Sequence, residues 1–144
     1  MHSTLRSLLA ITILLFTFSV SQPANAQEIR NRSNATIGKI ESDGVIRDKS
    51  NSQLGKIESN GAIRDKSNAQ IGKLESNGVI RDKSNRQIGK IESDGAIRNS
   101  SNALIGKIQS DGTIRDSSNA QIGSAKGIKK EWVAVVLLFF IDLK

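Results

Sequence analysis

A unit of 17 residues that recurs without insertions is the feature that most constrains this chain. The first full copy is IGKIESDGVIRDKSNSQ, residues 37–53, and the next copies begin at Leu54, Ile71, Ile88 and Ile105. Such repetition predicts one small supersecondary unit stacked on itself, because a unit this short cannot bury its apolar face alone. The fold should therefore follow from the unit and from how the array ends.

Each unit contains two G-x-I segments separated by a turn signal, with leucine in place of the first isoleucine in the third unit. In the first unit these are Gly38-Lys39-Ile40 and Gly44-Val45-Ile46, and we expect each to open a short strand. Asp43 or an equivalent Asn precedes the second glycine in every unit. This pair predicts a hairpin, because glycine adopts positive φ without steric cost and the Asx side chain caps the turn.

The length of the hairpin loop decides which side chains share a face. A three-residue loop pairs Ile40 with Ile46, Glu41 with Val45 and Lys39 with Arg47, which places both isoleucines on one face and the charged pair on the other. A two-residue loop would separate the isoleucines. We therefore predict the three-residue loop, with Ile40 and Ile46 pointing inward.

The second connection, Asp48 to Gln53, leads to the next unit and contains a Ser-Asn pair in every copy. We expect these Ser and Asn residues to close the loop by bonding their own backbone. One arginine per unit should meet carboxylates or loop carbonyls, a structural role that we prefer over a ring of ligand-binding residues. The arginines are Arg30, Arg47, Arg64, Arg81, Arg98 and Arg115.

The array ends in half units. Glu28 to Asn34 is a second half without a first, and Gln121 to Ala125 is a first half without a second. Two missing halves predict a closed ring, because the first strand can pair with the last and remove both free edges. An open solenoid would instead need polar caps. The expected fold is all-β, a closed radial array of hairpins with five full units and one split across the termini, and its rotational order could be five or six.

These G-K-I-x-S-D/N-G-x-I-R-D units, followed by a Lys-Lys-Glu-Trp segment and an apolar tail, resemble the β-flower proteins. The resemblance is to the five-fold β-flower group of secreted bacterial proteins and extends from Glu28 to about Leu143. It implies a radial array of short β-hairpins. It implies no assigned activity and no functional residue.

The first 26 residues have the pattern of a secretory signal peptide. Basic residues near the start precede an apolar run, and Ala24-Asn25-Ala26 fits a cleavage site. An uncleaved anchor is the alternative, but the apolar run is short for a membrane span. We expect cleavage after Ala26 and a secreted or periplasmic protein, with a hairpin ring over residues 27–128 and a hydrophobic C-terminal segment over residues 129–144.

The C-terminal segment contains one strongly apolar stretch, Trp132 to Ile141 (WVAVVLLFFI). It falls well short of the ~20 residues that a membrane-spanning helix needs. It could cover the centre of the ring, contact a membrane or a partner, or add a strand at an edge. We favour burial in the ring as a helix, because each unit supplies only about three aliphatic side chains and a ring leaves a hollow to fill.

Chemistry-bearing side chains are scarce. The only histidine is His2 and the chain has no Cys or Tyr, which argues against His- or Cys-based catalysis and zinc binding. A pair such as Glu41 and Asp43 could resemble glycosidase carboxylates, but it recurs unit after unit. The turn acid becomes Asn60 and Asn77 in two copies, which argues against a calcium site. We predict no enzyme activity and no catalytic, cofactor-binding or metal-binding residues.

The formal net charge of +7 arises from bases interleaved with acids, without stacking aromatics on the repeats, so we do not expect nucleic-acid binding. The leading hypothesis is an exported, non-catalytic structural or interaction scaffold, a monomer whose rim of Lys39, Glu41, Arg47 and Asp48 types meets an unknown protein or glycan. The alternative is a membrane-surface protein that uses Trp132 to Ile141. Its nearby bases, Lys126, Lys129 and Lys130, would then contact anionic lipid.

Overall fold

The computed structural model describes residues 27–143, in which twelve antiparallel strands form one closed barrel and one helix follows the last strand. The predicted signal peptide, residues 1–26, lies outside the described residues. The strands are β1 (Gln27–Asn31), β2 (Thr36–Ile40), β3 (Val45–Asp48), β4 (Gln53–Ile57), β5 (Ala62–Asp65), β6 (Gln70–Leu74), β7 (Val79–Asp82), β8 (Gln87–Ile91), β9 (Ala96–Asn99), β10 (Leu104–Ile108), β11 (Thr113–Asp116) and β12 (Gln121–Ser124). The helix is α1 (Lys130–Phe139).

The barrel closes where the two ends of the repeat array meet. Strand β1 pairs with β12, with Arg30 opposite Ser124 and Asn31 opposite Gly123, and β1 also pairs with β2. This confirms the predicted closure. Within the described residues the ring therefore consists of six hairpins, five of them continuous and one assembled from β12 and β1.

The hairpin turns follow the predicted register. Lys39 lies opposite Arg47 and Ile40 opposite Ile46, and the N–H of Glu41 donates to the carbonyl of Val45 at 2.8 Å. Gly44 has a φ of +92°. An added methyl group there would lie 2.0 Å from the Ile57 carbonyl oxygen, so the turn also requires glycine for close approach to the next hairpin.

The predicted strand starts were wrong. The first G-x-I ends strand β2 at Ile40, and the second glycine lies in the turn, so that β3 begins at Val45. Gly38 lies inside its strand because its missing side chain leaves room for Ile141 of the tail. The strand begins before the glycine and passes through a β-bulge, in which Ile37 is the extra residue between Thr36 and Gly38. The same bulge recurs in each unit, at Leu54, Ile71, Ile88, Ile105 and Ile122.

The second connection is closed by a different side chain from the one predicted. Asp48 Oδ1 accepts hydrogen bonds from two backbone N–H groups, that of Ser50 at 2.8 Å and that of Ser52 at 2.9 Å. Asn51 contributes its backbone conformation, with a φ of +69° that asparagine tolerates better than most residues. The loop therefore depends on a capping Asp, or Asn31 and Asn99 in two units, and on a left-handed Asn.

The core lies between the inner face of the ring and α1. Val133, Ala134, Val135 and Val136 are all 0% exposed. Four consecutive helical residues point in all directions, so the ring must surround the helix. They form one core cluster with the inward Ile40 and Ile46 and their equivalents. The predicted helical plug is confirmed, although the helix ends at Phe139 and the tail continues beyond it.

Candidate functional site

The outer face of the ring is a belt of charged side chains in which one arginine per hairpin is held twice. Arg47 Nε donates to Glu41 Oε1 at 2.6 Å, and its Nη1 donates to the Asn51 carbonyl at 3.2 Å. Both acceptors belong to the unit of the arginine itself. The arrangement recurs at Arg64, Arg81 and Arg98. As predicted, these arginines fasten the hairpin to its following loop.

One unit departs from this pattern. Arg115 Nε donates to the neutral Gln109 Oε1 at 3.1 Å, where the preceding units provide a glutamate. Arg115 still donates to the Asn119 carbonyl at 2.9 Å, so its structural role is kept while its charge is not matched by Gln109.

A groove opens in the belt at the seam between β1 and β12. Ser124 occupies the position that Lys39, Lys56, Lys73, Lys90 and Lys107 occupy in the other units, and it lies opposite Arg30 as Lys39 lies opposite Arg47. A groove of about 910 Å³ lies beside this short serine, at the position that carries a lysine in five other units. Its other lining residues are Glu28, Arg30, Asn34, Asp111, Thr113, Gln121 and Lys126.

The groove contains hydrogen-bond donors and acceptors and charges of both signs. Glu28 forms an ion pair with Arg30. Its Oε2 also accepts a hydrogen bond from the Thr36 hydroxyl, and the two oxygen atoms lie 3.2 Å apart. On the opposite wall, the Thr113 N–H donates to Asp111 Oδ1 at 2.9 Å. This bond, together with the Thr113 side chain and the charge of Lys126, lowers the pKa of the Asp111 carboxyl. Asp111 is therefore ionised at neutral pH, and the groove suits a polar ligand.

A second irregularity lies inside the barrel, at the end where the tail emerges from the helix. One glycine per unit points inward there, and a methyl group added to Gly55 would lie 2.6 Å from the Phe140 ring. Apolar side chains of the last helical turn and of the tail likewise cover four of the other five glycines. The pairs are Leu138 with Gly89, Phe139 with Gly72, Ile141 with Gly38 and Leu143 with Gly123. Gly106 has no such cover within 4 Å and borders a cavity of about 260 Å³.

The two carboxylates weighed from sequence for chemistry have different structural partners. Glu41 bonds Arg47, whereas Asp43 Oδ1 accepts the Val45 N–H at 3.1 Å and caps the turn. Within residues 27–143 no cluster of three or more acidic or other ligating side chains is placed to hold a metal ion. Lys129 lies over the Trp132 ring at 5.1 Å. No helix in the described range is long and apolar enough to cross a membrane.

Both irregular places were missed in the sequence. Ser124 interrupts a column of five lysines and lies in the groove. Leu104 stands where Gln53, Gln70, Gln87 and Gln121 stand in other units, two residues before Gly106. Departures of single units from the repeat therefore locate the candidate sites better than the repeated residues do.

Comparison with known proteins agrees with the architecture. A family model described as "5-fold beta-flower protein" matches residues 26–141, nearly all of the described range. No curated protein and no solved structure matches the chain significantly. With twelve strands closed into one ring of hairpins and a match over most of its length, the chain belongs to the 5-fold β-flower protein family.

Proposed function

We propose that this chain is an exported, non-catalytic interaction scaffold that binds a glycan, or a protein with similar polar groups, in the seam groove. The observation that carries the proposal is the groove of about 910 Å³ at Ser124, the one unit in which serine replaces the belt lysine. Its size falls in the range of roughly 300–1,000 Å³ that is common for ligand sites.

The chemistry of the groove favours a glycan. Thr113, Gln121 and Asn34 offer hydroxyl and amide groups, which can both donate and accept hydrogen bonds to sugar hydroxyls. The charged lining residues include both acids and bases, so the groove does not select strongly for a polyanion. The neighbouring belt repeats one pattern around the ring and offers a rigid surface for weaker additional contacts.

A non-catalytic role is supported by how the acids are used. Glu41 and its equivalents are bound to arginines, and the turn and loop acids cap backbone N–H groups. Catalysis usually requires two groups whose pKa values are pushed apart in one site. Export is supported by the signal-peptide pattern of residues 1–26 in the sequence.

The membrane-surface alternative stays a prediction. Contact through the centre of this stretch, Val133 to Val136, would require the helix to leave the ring, whereas Trp132 and Leu137 to Ile141 are half-buried. That step would expose Val133 to Val136, which are buried in the fold.

The groove can be narrowed without changing the fold. Ser124→Lys restores the residue that five other units carry at this position. A glycan array probed with the chain from Gln27 to Lys144 would identify a ligand, and titration would give its Kd. We expect Ser124→Lys to weaken binding by about tenfold or more, since a lysine side chain would project into the groove and displace ligand contacts there.

The matched control is Lys56→Ser, which makes the opposite exchange in a different unit. It should leave the Kd unchanged. Equal binding by Ser124→Lys and the parent chain would contradict the proposal, as would glycan binding that is lost in Lys56→Ser. If the array is silent but a captured protein loses binding in Ser124→Lys alone, the groove is kept and the partner is a protein.

A further inference from the structure

The chain from Leu138 to Leu143 winds once around the inside of the barrel and covers one inward glycine per hairpin. The covered glycines follow one another around the ring as the chain proceeds, in the order Gly89, Gly72, Gly55, Gly38 and Gly123. The sixth hairpin, which lies between the first and the last of these, contains Gly106. The cavity beside Gly106 is therefore the gap between the start and the end of one turn of the chain.

This cavity has an apolar lining and an opening to solvent. Its volume is about 260 Å³, and its lining includes Ile97, Ile105, Ile114, Ile122, Leu137 and Leu143. Ile105 is 39% exposed, so the cavity is open to water beside this residue. A cavity of about 150 Å³ with similar lining is large enough to bind benzene. The space beside Gly106 is therefore large enough for a small apolar molecule.

The other five hairpins indicate which chemistry the empty space accepts. Each presents the same inward glycine, and each glycine is covered by the end of one apolar side chain. Leu138 covers Gly89 with a branched aliphatic group, whereas Phe140 covers Gly55 with an aromatic ring. The sixth space should accept a group of the same size. Its volume lies just below the range of roughly 300–1,000 Å³ that larger ligands occupy.

The charged residues beside the cavity favour a neutral ligand. Arg115 and Asp142 border it. The Arg115 guanidinium donates to Gln109 Oε1 and to the Asn119 carbonyl, and it is the Arg115 carbonyl oxygen that lies 2.8 Å from a methyl group built at Gly106. Asp142 is also engaged in an interaction of its own. A charged ligand would therefore lose its hydration without gaining an unpaired partner.

We propose that the cavity beside Gly106 binds a small neutral molecule with a branched aliphatic or single-ring aromatic group. The bound group would lie between Leu138 and Leu143, the two ends of the turn, and would complete the apolar cover of the six glycines. The site lies inside the barrel, whereas the seam groove lies on the outer face. Ligand binding at the two places can therefore be measured independently.

Fluorine NMR titration of fluorobenzene with the chain from Gln27 to Lys144 tests the proposal, because this probe has the ring size of a phenylalanine side chain. We expect saturable binding with a Kd on the order of 1 mM or lower, as suits so small a ligand. Isoamyl alcohol, with a branched end like that of leucine, should displace the probe, and glycerol should not. Ile105→Asp should raise the Kd by about tenfold or more, because it places a carboxylate at the opening of an apolar cavity.

The matched control is Leu104→Asp. Leu104 is 42% exposed, does not line the cavity and lies opposite Arg98, so the same charge there should leave the Kd unchanged. Ile105→Phe should also weaken binding, because the larger side chain fills the cavity, but it should raise the Tm. This rise distinguishes a filled cavity from a damaged fold.

Three results would overturn the proposal. The first is a parent chain that shows no saturable binding of fluorobenzene. The second is binding that survives both substitutions of Ile105. The third is an equal loss of binding in Leu104→Asp and Ile105→Asp, which would place the probe on the outer surface.

Discussion

The inner face of the ring is closed on a helix, whereas the outer face is a belt of charges in water. Both faces belong to the same six hairpins. Inside, Ile46, Ile63 and Ile80 are 0% exposed and pack on helix residues that are equally buried. Outside, the Arg47 and Glu41 side chains form an ion pair while 27% and 33% exposed. The difference shows that one repeated sequence can place a buried apolar core on one face and a solvated charged surface on the other.

The energy scales of the two faces support this division. Full burial of an aliphatic side chain contributes about 1.5–3 kcal/mol. An exposed ion pair contributes roughly 0–1 kcal/mol, because water and salt screen it. Substitutions that point inward should therefore dominate any stability scan, and those that point outward should be nearly silent. Matched variants on the two faces measure this difference.

Val135→Asp should be the most damaging of these changes. The carboxylate would be buried among isoleucines with no partner, at a cost of several kcal/mol. We expect the cooperative unfolding transition in urea at room temperature to be lost. The fluorescence emission of Trp132 monitors this transition. Lys107→Asp introduces the same group on the exposed outer face and should change the unfolding free energy by only about 0.5 kcal/mol. Equal effects of the two variants would contradict the division between faces.

Gly55→Ala tests how tightly the tail packs on the ring. The added methyl group would lie 2.4 Å from the Arg64 carbonyl oxygen and 2.6 Å from the Phe140 ring. We expect a loss of about 1–3 kcal/mol in urea unfolding, the usual cost of overpacking. Gly89→Ala should cost less, because its nearest atoms lie at 3.1 Å. Phe140→Ala should partly rescue Gly55→Ala, and strict additivity of the two would refute the contact.

Arg47→Gln measures the outer ion pair. It removes the bonds to Glu41 and to the Asn51 carbonyl and should cost about 0.2–1 kcal/mol. Arg115→Gln is the matched control, since its partner Gln109 is neutral while its loop carbonyl bond is the same. The excess cost of Arg47→Gln over Arg115→Gln should disappear at high salt. An excess that persists would indicate that packing, and not charge, is responsible.

The smallest expected effect is an acid dependence from the capping carboxylates. Each of three aspartates accepts a hydrogen bond from a backbone N–H group, and this bond lowers the pKa of its carboxyl. The pairs of acceptor and donor are Asp82 with Arg86, Asp94 with Ala96 and Asp111 with Thr113. Because the pKa is lower in the folded than in the unfolded chain, each group stabilises the fold fully above its ordinary value of 3.8. That contribution is lost as the pH falls through the lowered value.

Asp94→Asn isolates one of these groups. Asn60 and Asn77 make the same cap in other units, accepting the N–H of Ala62 at 3.0 Å and of Val79 at 3.1 Å. The variant should fold normally. When the pH is lowered from about 5 to about 3, its Tm should decrease less than the Tm of the parent chain. An unchanged loss of Tm would show that Asp94 does not contribute to the acid dependence.

Much of the fold could be predicted because it repeats. The Asx-Gly turn fixes the hairpin register, and the half units at Glu28 and Gln121 require closure. The bulge at Ile37 could not be predicted, because Gly38 suggests a strand start unless the approach of Ile141 is known. Five continuous hairpins are visible in the sequence, but the sixth depends on pairing between distant ends. The candidate sites could not be predicted, because they lie where a single unit differs from the others, and the repeat pattern describes only what the units share.

The account depends most directly on the helix lying inside the ring. Native-state hydrogen exchange by mass spectrometry measures this, segment by segment, on the unmodified chain. If the ring surrounds α1, the amides of its buried residues, up to Val136, exchange as slowly as those of Ile46 and Ile63 in the strands, because both require global unfolding. Fast exchange of Val133 to Val136 while the strands stay protected would show a helix outside the ring and would contradict the account.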